Sequence, residues 1–410
     1  MRITKVDAFL LSSPLPEPMR MTYHGGERTV MKRDALLVRV TADNGLCGWA
    51  PGVADEATVR AVTDWVSPYL VGRDPQQWSG FSLNGTRVIA NAYRAAEIAI
   101  LDLLGRYEGC PLTDLIGGRV RDTIALYASG GMYQPPQGYA TEAAGAQAMG
   151  FTAYKMRPGG DPDQDVTTVE AVRQATGQDF ELMIDAHTWW RMGDFDYDYD
   201  TVVGLATAFG RLGVTWLEEP LPPADHDAYR RLRAESPVAI ATGEHEPDEA
   251  GLVTIATSGV TDYVQADLCS HGGLSLGPQV FGAVRDAGRK FAFHSWGTLL
   301  EVITAAQLGV CWSSDVVPWL EYPLHANAGR AGIYPFPLAD DVLTEPLDVR
   351  DGVLHLSRAP GLGVTVDESV IERYPYLPGP WSTFQLRSPA HVLAVVGDHS
   401  IPSVSGGSLA

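Results

Sequence analysis

The sequence predicts an α/β protein: a parallel (β/α)8-type barrel preceded by a small N-terminal α+β domain. Three observations carry that expectation. From about residue 122, short apolar runs alternate with helical segments at start-to-start intervals of 24 to 32 residues, about what a strand and its crossover helix occupy. Chemistry-capable side chains stand just after seven of the eight runs, where barrel enzymes carry their catalytic groups. The front of the chain reads instead as strands and turns followed by a long helix.

In chain order, Ile3 to Leu11 and Asp34 to Thr41 are strand-like, with a Gly-bearing return through Gly45 and Gly48. Residues 55 to 116 are helical in pattern, most clearly Ile89 to Arg106, where Ala92, Ala96, Ile100 and Leu103 recur at helical spacing and Gly105 and Gly109 mark the end. The eight runs follow: Ile124–Ala128, Ala153–Met156, Leu182–Ile184, Val214–Leu217, Val238–Ala241, Tyr263–Ala266, Phe291–Phe293 and Val316–Leu320. Periodicity alone leaves a doubly wound open sheet as the alternative.

The 410 residues are 45% hydrophobic and 20% charged, an ordinary globular composition. A formal charge of −20 repels a phosphate backbone, so no nucleic-acid partner is expected, and a membrane-surface role is disfavoured. No stretch approaches the ~20 apolar residues of a span, and the N-terminus lacks a signal pattern. We expect a cytoplasmic enzyme and a homo-oligomer. The cysteines Cys47, Cys110, Cys269 and Cys311 lack metal-site spacing and read as buried, reduced thiols. With so acidic a chain, an anionic substrate requires a metal or a few placed cations.

The strand ends supply both. Asp185, Glu218 and Glu244 follow three consecutive strands. Three converging carboxylates repel one another unless a hard cation neutralises them, and an all-oxygen site favours Mg2+. Any one of them alone would read as a helix N-cap or a surface charge, and Glu219 is an alternative to Glu218 that alternation cannot decide. Asp267 and His294 end adjacent strands, and a carboxylate beside an imidazole fixes its tautomer and raises its basicity, as a general base needs. The plain alternative is a satisfied structural histidine. Lys155 and Arg157 lie on one side of their strand and suit an anionic substrate.

With these residues assembled, residues 1 to about 340 resemble the enolase superfamily, in particular its mandelate racemase subgroup. The resemblance rests on the helix Ala95 to Gly105, Pro111-Leu112, Ile116-Gly117-Gly118 and the ordered barrel motifs, with 26 residues from Glu218 to Glu244 and 27 from Asp267 to His294. It implies a modified (β/α)7β barrel at 122–325, a capping domain at 1–121, and a C-terminal segment at 326–410 that completes the cap and runs into a tail. It also implies that Asp185, Glu218 and Glu244 hold one Mg2+, that Asp267 and His294 form the base dyad, and that Glu321 hydrogen-bonds the substrate carboxylate as it becomes an enediolate.

Two features select among the subgroup's reactions. Racemases of the subgroup commonly carry Lys-x-Lys, whereas here the second position is Arg157, whose guanidinium does not lose its proton at neutral pH. His187, two residues after Asp185, matches a histidine that in similar acid-sugar dehydratases protonates the departing β-hydroxyl; the other assignment is a ring under Trp189 and Trp190. The expected reaction is therefore that of a hydro-lyase: His294 takes the proton α to the carboxylate of an aldonate or aldarate, and the β-hydroxyl leaves to give a 2-keto-3-deoxy acid. The alternatives are a racemase or epimerase using Lys155 and His294 as opposed bases, and a non-catalytic sugar-acid binder. Substrate contacts are expected from the capping loops around His24, Arg28 and Trp49, where Arg28 could accept a second carboxylate. The tail from about Tyr376 to Ala410 carries no assigned function.

Overall fold

A computed structural model describes residues 1–190, 196–271, 273, 276–324, 336–386 and 392–395. Near the N-terminus, β1 (Ile3–Tyr23), β2 (Gly26–Ala42) and β3 (Cys47–Gly52) form an antiparallel sheet. The β1–β2 hairpin turns at His24-Gly25 and reaches the barrel, where the His24 amide donates to Gly159 O at 2.7 Å. The helix Arg87–Glu108 backs this sheet, capped by Thr86 at its start and by left-handed Gly109 at its end. Gly48 permits the close approach: a Cβ there would lie 2.1 Å from Ala99 O. Asp102, fully buried on this helix, accepts from the amides of Trp49 and Leu362 and from Arg106 Nε, so one carboxylate ties helix, sheet and C-terminal segment together.

The barrel strands are β4 (Thr123–Met132), β5 (Ala153–Arg157), β6 (Glu181–Asp185), β7 (Trp216–Glu218), β8 (Ala239–Thr242), β9 (Tyr263–Asp267), β10 (Lys290–His294) and β11 (Trp319–Pro323). Each pairs in parallel with the next, and β11 pairs in parallel with β4, which closes the ring and removes the open-sheet alternative. All eight apolar runs become strands, although the fourth and eighth begin two and three residues later than the runs do, at Trp216 and Trp319.

Inside the ring, Tyr127, Met183, Trp216 and Tyr263 pack with Ala153, Ala241 and Ala292 in a dry plug, large residues against small, as a tapering interior requires. Because strand side chains alternate, the residues two positions further along also point inward, one layer higher: Ser129, Lys155, Asp185, Glu218, Gln265 and His294. An apolar floor thus carries a polar layer, and that layer is the site.

The C-terminal segment returns to both parts. Strands β12 (Val349–Arg350) and β13 (Val353–His355) form a hairpin on the start of β4, and β14 (Ser382–Leu386) joins β2, bringing Phe384 opposite Arg28. The edge strand β15 (Val392–Val395) follows; the tail beyond it lies outside the described residues. None of the cysteines is in a disulfide; Cys269 is buried and the other three half-buried. Among the described residues no helix is long and apolar enough to cross a membrane.

Candidate active site

The polar layer is built on strands in register. Asp185 lies opposite Glu218, and Asp267 opposite His294. Lys155 is fully buried, its ammonium 2.6 Å from Glu218 Oε1, 2.9 Å from Glu321 Oε1 and 3.9 Å from Asp185 Oδ2. Burial works to lower its pKa, but Glu218 and Glu321 outweigh it and the net direction is upward. Arg157 Nε lies 3.0 Å from Asp185 Oδ2 and its NH2 3.6 Å from Glu321 Oε1, while its guanidinium stacks 4.0 Å over the Trp296 ring. Both cations are therefore fixed in the charged state.

Glu321 is held by Ser129 Oγ at 2.6 Å, by Lys155, and by the amide of Ser295 at 2.8 Å. Burial pushes its pKa up, but Lys155, His294 and Arg157 prevail and the net shift is down, the environment of an ionised carboxylate. Ser129 and Ser295 were not anticipated. For Ser129 a signal existed, since it continues the inward alternation of the first strand two residues beyond Tyr127.

His294 Nδ1 lies 2.8 Å from Asp267 Oδ2. A carboxylate only accepts, so Nδ1 carries a proton, and Nε2 is the nitrogen left to exchange one with a substrate. Nε2 stands 3.2 Å from Glu244 Oε2. Burial opposes protonation of the ring, yet Glu244 and Asp267 raise its pKa well above the ordinary value. Asp267 is itself braced, its Oδ1 accepting from the amides of Cys269 at 2.7 Å and Ser270 at 3.1 Å. His187, in a short 3-10 turn, places Nδ1 2.6 Å from Asp185 Oδ1. The carboxylate of Asp185 is held well below the usual range because His187, Arg157 and Lys155 outweigh burial.

The expected metal carboxylates do not all meet in one cluster. Glu218 turns toward Lys155, Gln265 Nε2 (2.8 Å) and Trp216 Nε1 (3.2 Å). Among the described residues, ligand atoms lie within 4.8 Å of one another in two groups, Glu219 with Glu244 and His245, and Asp267 with Cys269 and Glu301. Glu219 comes inward because its backbone is left-handed, φ 43°, which is costly for a residue with a Cβ and breaks the alternation a strand would impose. His245 Nδ1 sits 2.7 Å from Glu219 Oε2 and 3.4 Å from Glu244 Oε1. The donor chemistry fits a hard dication: buried carboxylates crowd the site, and burial, with Asp185 and Glu321 adding to it against the pull of Lys155, pushes Glu218 upward.

Of the capping residues, Arg28 and His24 contact the barrel, and Trp49 lies in the capping sheet. Arg28 is 6% exposed; its Nε donates to Ser382 Oγ at 3.0 Å and its NH1 contacts Met132 Sδ at the end of β4. The His24 ring packs at a tilt on Tyr197, 5.1 Å between centroids, beside a cavity of about 670 Å3 also lined by Thr22, Tyr133 and Gln134. Trp49 packs on Phe9 and Arg39 within the capping sheet, and none of its described contacts involves the mouth.

Residues 138–370 match the family described as enolase C-terminal domain-like, and residues 5–117 match the mandelate racemase / muconate lactonizing enzyme N-terminal domain. D-galactarolactone cycloisomerase of Agrobacterium fabrum is 29% identical over 393 residues, covering 91% of this chain and 99% of its own. D-gluconate dehydratase of Thermoproteus tenax is 28% identical over 365 residues, 83% of this chain and 69% of its own. The crystal structure of 3,6-anhydro-D-galactonate cycloisomerase from Zobellia galactanivorans superposes with a TM-score of 0.76 at 27% identity, covering 92% of this chain and 100% of that one.

Proposed function

We propose that this chain, which belongs to the mandelate racemase / muconate lactonizing enzyme family of the enolase superfamily, is a dehydratase of a sugar acid with Mg2+ as its cofactor. The observation that carries this is the inventory of bases. His294, with Nδ1 committed to Asp267, has Nε2 alone to exchange a proton with the substrate, whereas Lys155 is locked among three carboxylates and Arg157 is a guanidinium. Reversible inversion at an α-carbon needs a base on each face, but elimination needs one base and one acid. The names of the relatives, a sugar-acid dehydratase and two sugar-acid or lactone cycloisomerases, agree with the substrate class.

In this reading Lys155 and Arg157 bind the substrate carboxylate and stabilise the charge it gains as an enediolate, preorganised by Glu321 and Asp185 so that little reorganisation is needed during reaction. His294 Nε2 takes the α-proton, and Asp267 stabilises the resulting imidazolium. His187, held at Asp185 through Nδ1, gives a proton to the departing β-hydroxyl, and ketonisation gives the 2-keto-3-deoxy acid. Asp185, Glu218 and Glu244, with Glu219 beside them, would hold Mg2+, which would add charge stabilisation for the enediolate. Residues 1–121 with the returning C-terminal strand cap the mouth of the barrel formed by 122–325.

A screen of mono- and diacid sugars with Mg2+ for 2-keto product, run beside His294→Asn and His187→Asn, tests the assignment. His294→Asn is expected to cost about 10²- to 10⁴-fold. Full turnover by that variant removes His294 as the base, and a neutral His187→Asn moves the acid elsewhere.

A further inference from the structure

Three buried or nearly buried guanidinium groups run from the cap into the barrel mouth, separated by two indoles. Arg28 lies 4.8 Å from the Trp381 ring, and Arg33 lies 4.6 Å from the same ring. Arg33 also lies 5.4 Å from Trp296, and Arg157 packs 4.0 Å over that ring. The inner end of the ladder is neutralised, since Arg157 pairs with Asp185 and Glu321. The outer end is not: among the described residues Arg28 has no carboxylate partner. It rests between Trp381 and Phe384, with a serine hydroxyl, a thioether and Tyr133 for company.

Such a group is expensive. Removing a charge from water costs several kcal/mol, which a counter-ion normally offsets, and cation–π contacts return only part of it. Its position gives the cost a purpose. Met132, which Arg28 touches, is the strand partner of Arg157 across β4 and β5, and Tyr133 beside it is held in a strained left-handed conformation, φ 44°. Through Met132, Arg28 is joined from the capping side to the strand position that carries Arg157, one of the carboxylate-binding pair. A guanidinium presents a planar fork that matches a carboxylate.

We infer that Arg28 receives a second carboxylate at the distal end of the substrate, so that the substrate class is the sugar dicarboxylates rather than the monoacids. This rests on the sugar-acid reading above and deepens it. The proximal carboxylate lies with Lys155 and Arg157, and the distal one supplies the anion that Arg28 lacks. Trp381 and Phe384 exclude water around that contact and so strengthen it.

The experiment is calorimetric and needs no turnover. Saturated dicarboxylates of four to six carbons, and the monocarboxylates of equal length, are titrated into the Mg2+-loaded protein, wild type and Arg28→Met and Arg28→Lys variants. A charge-assisted contact predicts that the best dicarboxylate binds about 10- to 100-fold more tightly than its monocarboxylate, that Arg28→Met brings the ratio close to one, and that Arg28→Lys keeps part of it. Thermal melting of Arg28→Met separates a binding role from a structural one, because a methionine fills the aromatic slot without a buried charge and the melting temperature should not fall. A wild-type ratio near one, a ratio unchanged in Arg28→Met, or a melting temperature lowered together with loss of both ligand classes overturns the inference. If no sugar acid yields keto product while the Arg28-dependent ratio persists, the dehydratase reading fails and this one stands. If monoacid sugars yield product and diacids do no better, this one fails alone.

Discussion

Replacing Asp267 by asparagine should disable the base without disturbing its position. The two amides that donate to Asp267 Oδ1, those of Cys269 and Ser270, will hold the amide oxygen of Asp267→Asn where that carboxylate oxygen was. The amide nitrogen then faces His294 Nδ1. Two donors cannot share that contact, so the imidazole proton moves to Nε2, and the lone pair that should take the substrate proton is gone. Recovering the productive tautomer requires turning the amide over, which leaves the two buried N–H groups facing another donor. At about 1–2 kcal/mol for each unsatisfied donor, the productive form lies about 2–4 kcal/mol higher, a rate loss of about 30- to 1,000-fold. The assay is solvent-deuterium exchange at the substrate α-carbon alongside kcat/KM, with circular dichroism to show that the fold survives. A loss smaller than about threefold would refute the tautomer argument, since the carboxylate would then not be setting the state of His294.

Three further outcomes follow from the same geometry. Lys155→Met removes the cation shared by buried Glu218 and Glu321 and should cost about 3–5 kcal/mol in urea unfolding without added metal; unchanged stability would mean those carboxylates are not ion-paired. Asp165 is fully buried with one oxygen on the Gly160 amide, and burial pushes its pKa up to about 7. Because the folded state holds this proton more tightly than the unfolded chain, its contribution declines as pH rises from about 4 to about 7, by a few kcal/mol at most. Asp165→Asn should therefore gain stability relative to wild type between pH 5 and pH 8 in paired denaturant titrations, and a constant difference across that range contradicts the shift. Mg2+ at about 100 times its dissociation constant should add about 2.7 kcal/mol of stability, seen as a lower melting temperature with chelator, and Glu244→Gln should lose most of that dependence; a melting temperature indifferent to Mg2+ argues against the site.

Much of this was legible before any coordinates, for a simple reason. Along a strand the side-chain period is two, so Lys155 with Arg157 above Ala153, or Asp185 above Met183, follow from sequence once the strand is recognised. Legibility stops where the chain leaves the strand. Glu219, one residue past β7, is turned inward by its left-handed backbone and meets Glu244 and His245, an arrangement no alternation rule contains. Trp49 shows the limit from the other side: its Gly-rich context reads as a loop, whereas the residue is paired in β3 opposite Arg39 and packs on Phe9 and Arg39. The Arg28–Trp381 contact joins residues 353 apart in the chain and exists only because β14 returns to pair with β2.

Elimination by one base and one acid leaves its own isotope pattern when the reaction runs in D2O with Mg2+ and both substrate and product are followed by NMR. The expected result is a 2-keto-3-deoxy product carrying solvent deuterium at C3, with no α-epimer of the substrate at any time. Accumulation of the α-epimer with deuterium at C2, and no keto product, would contradict it and make Lys155 a working base despite its three carboxylates.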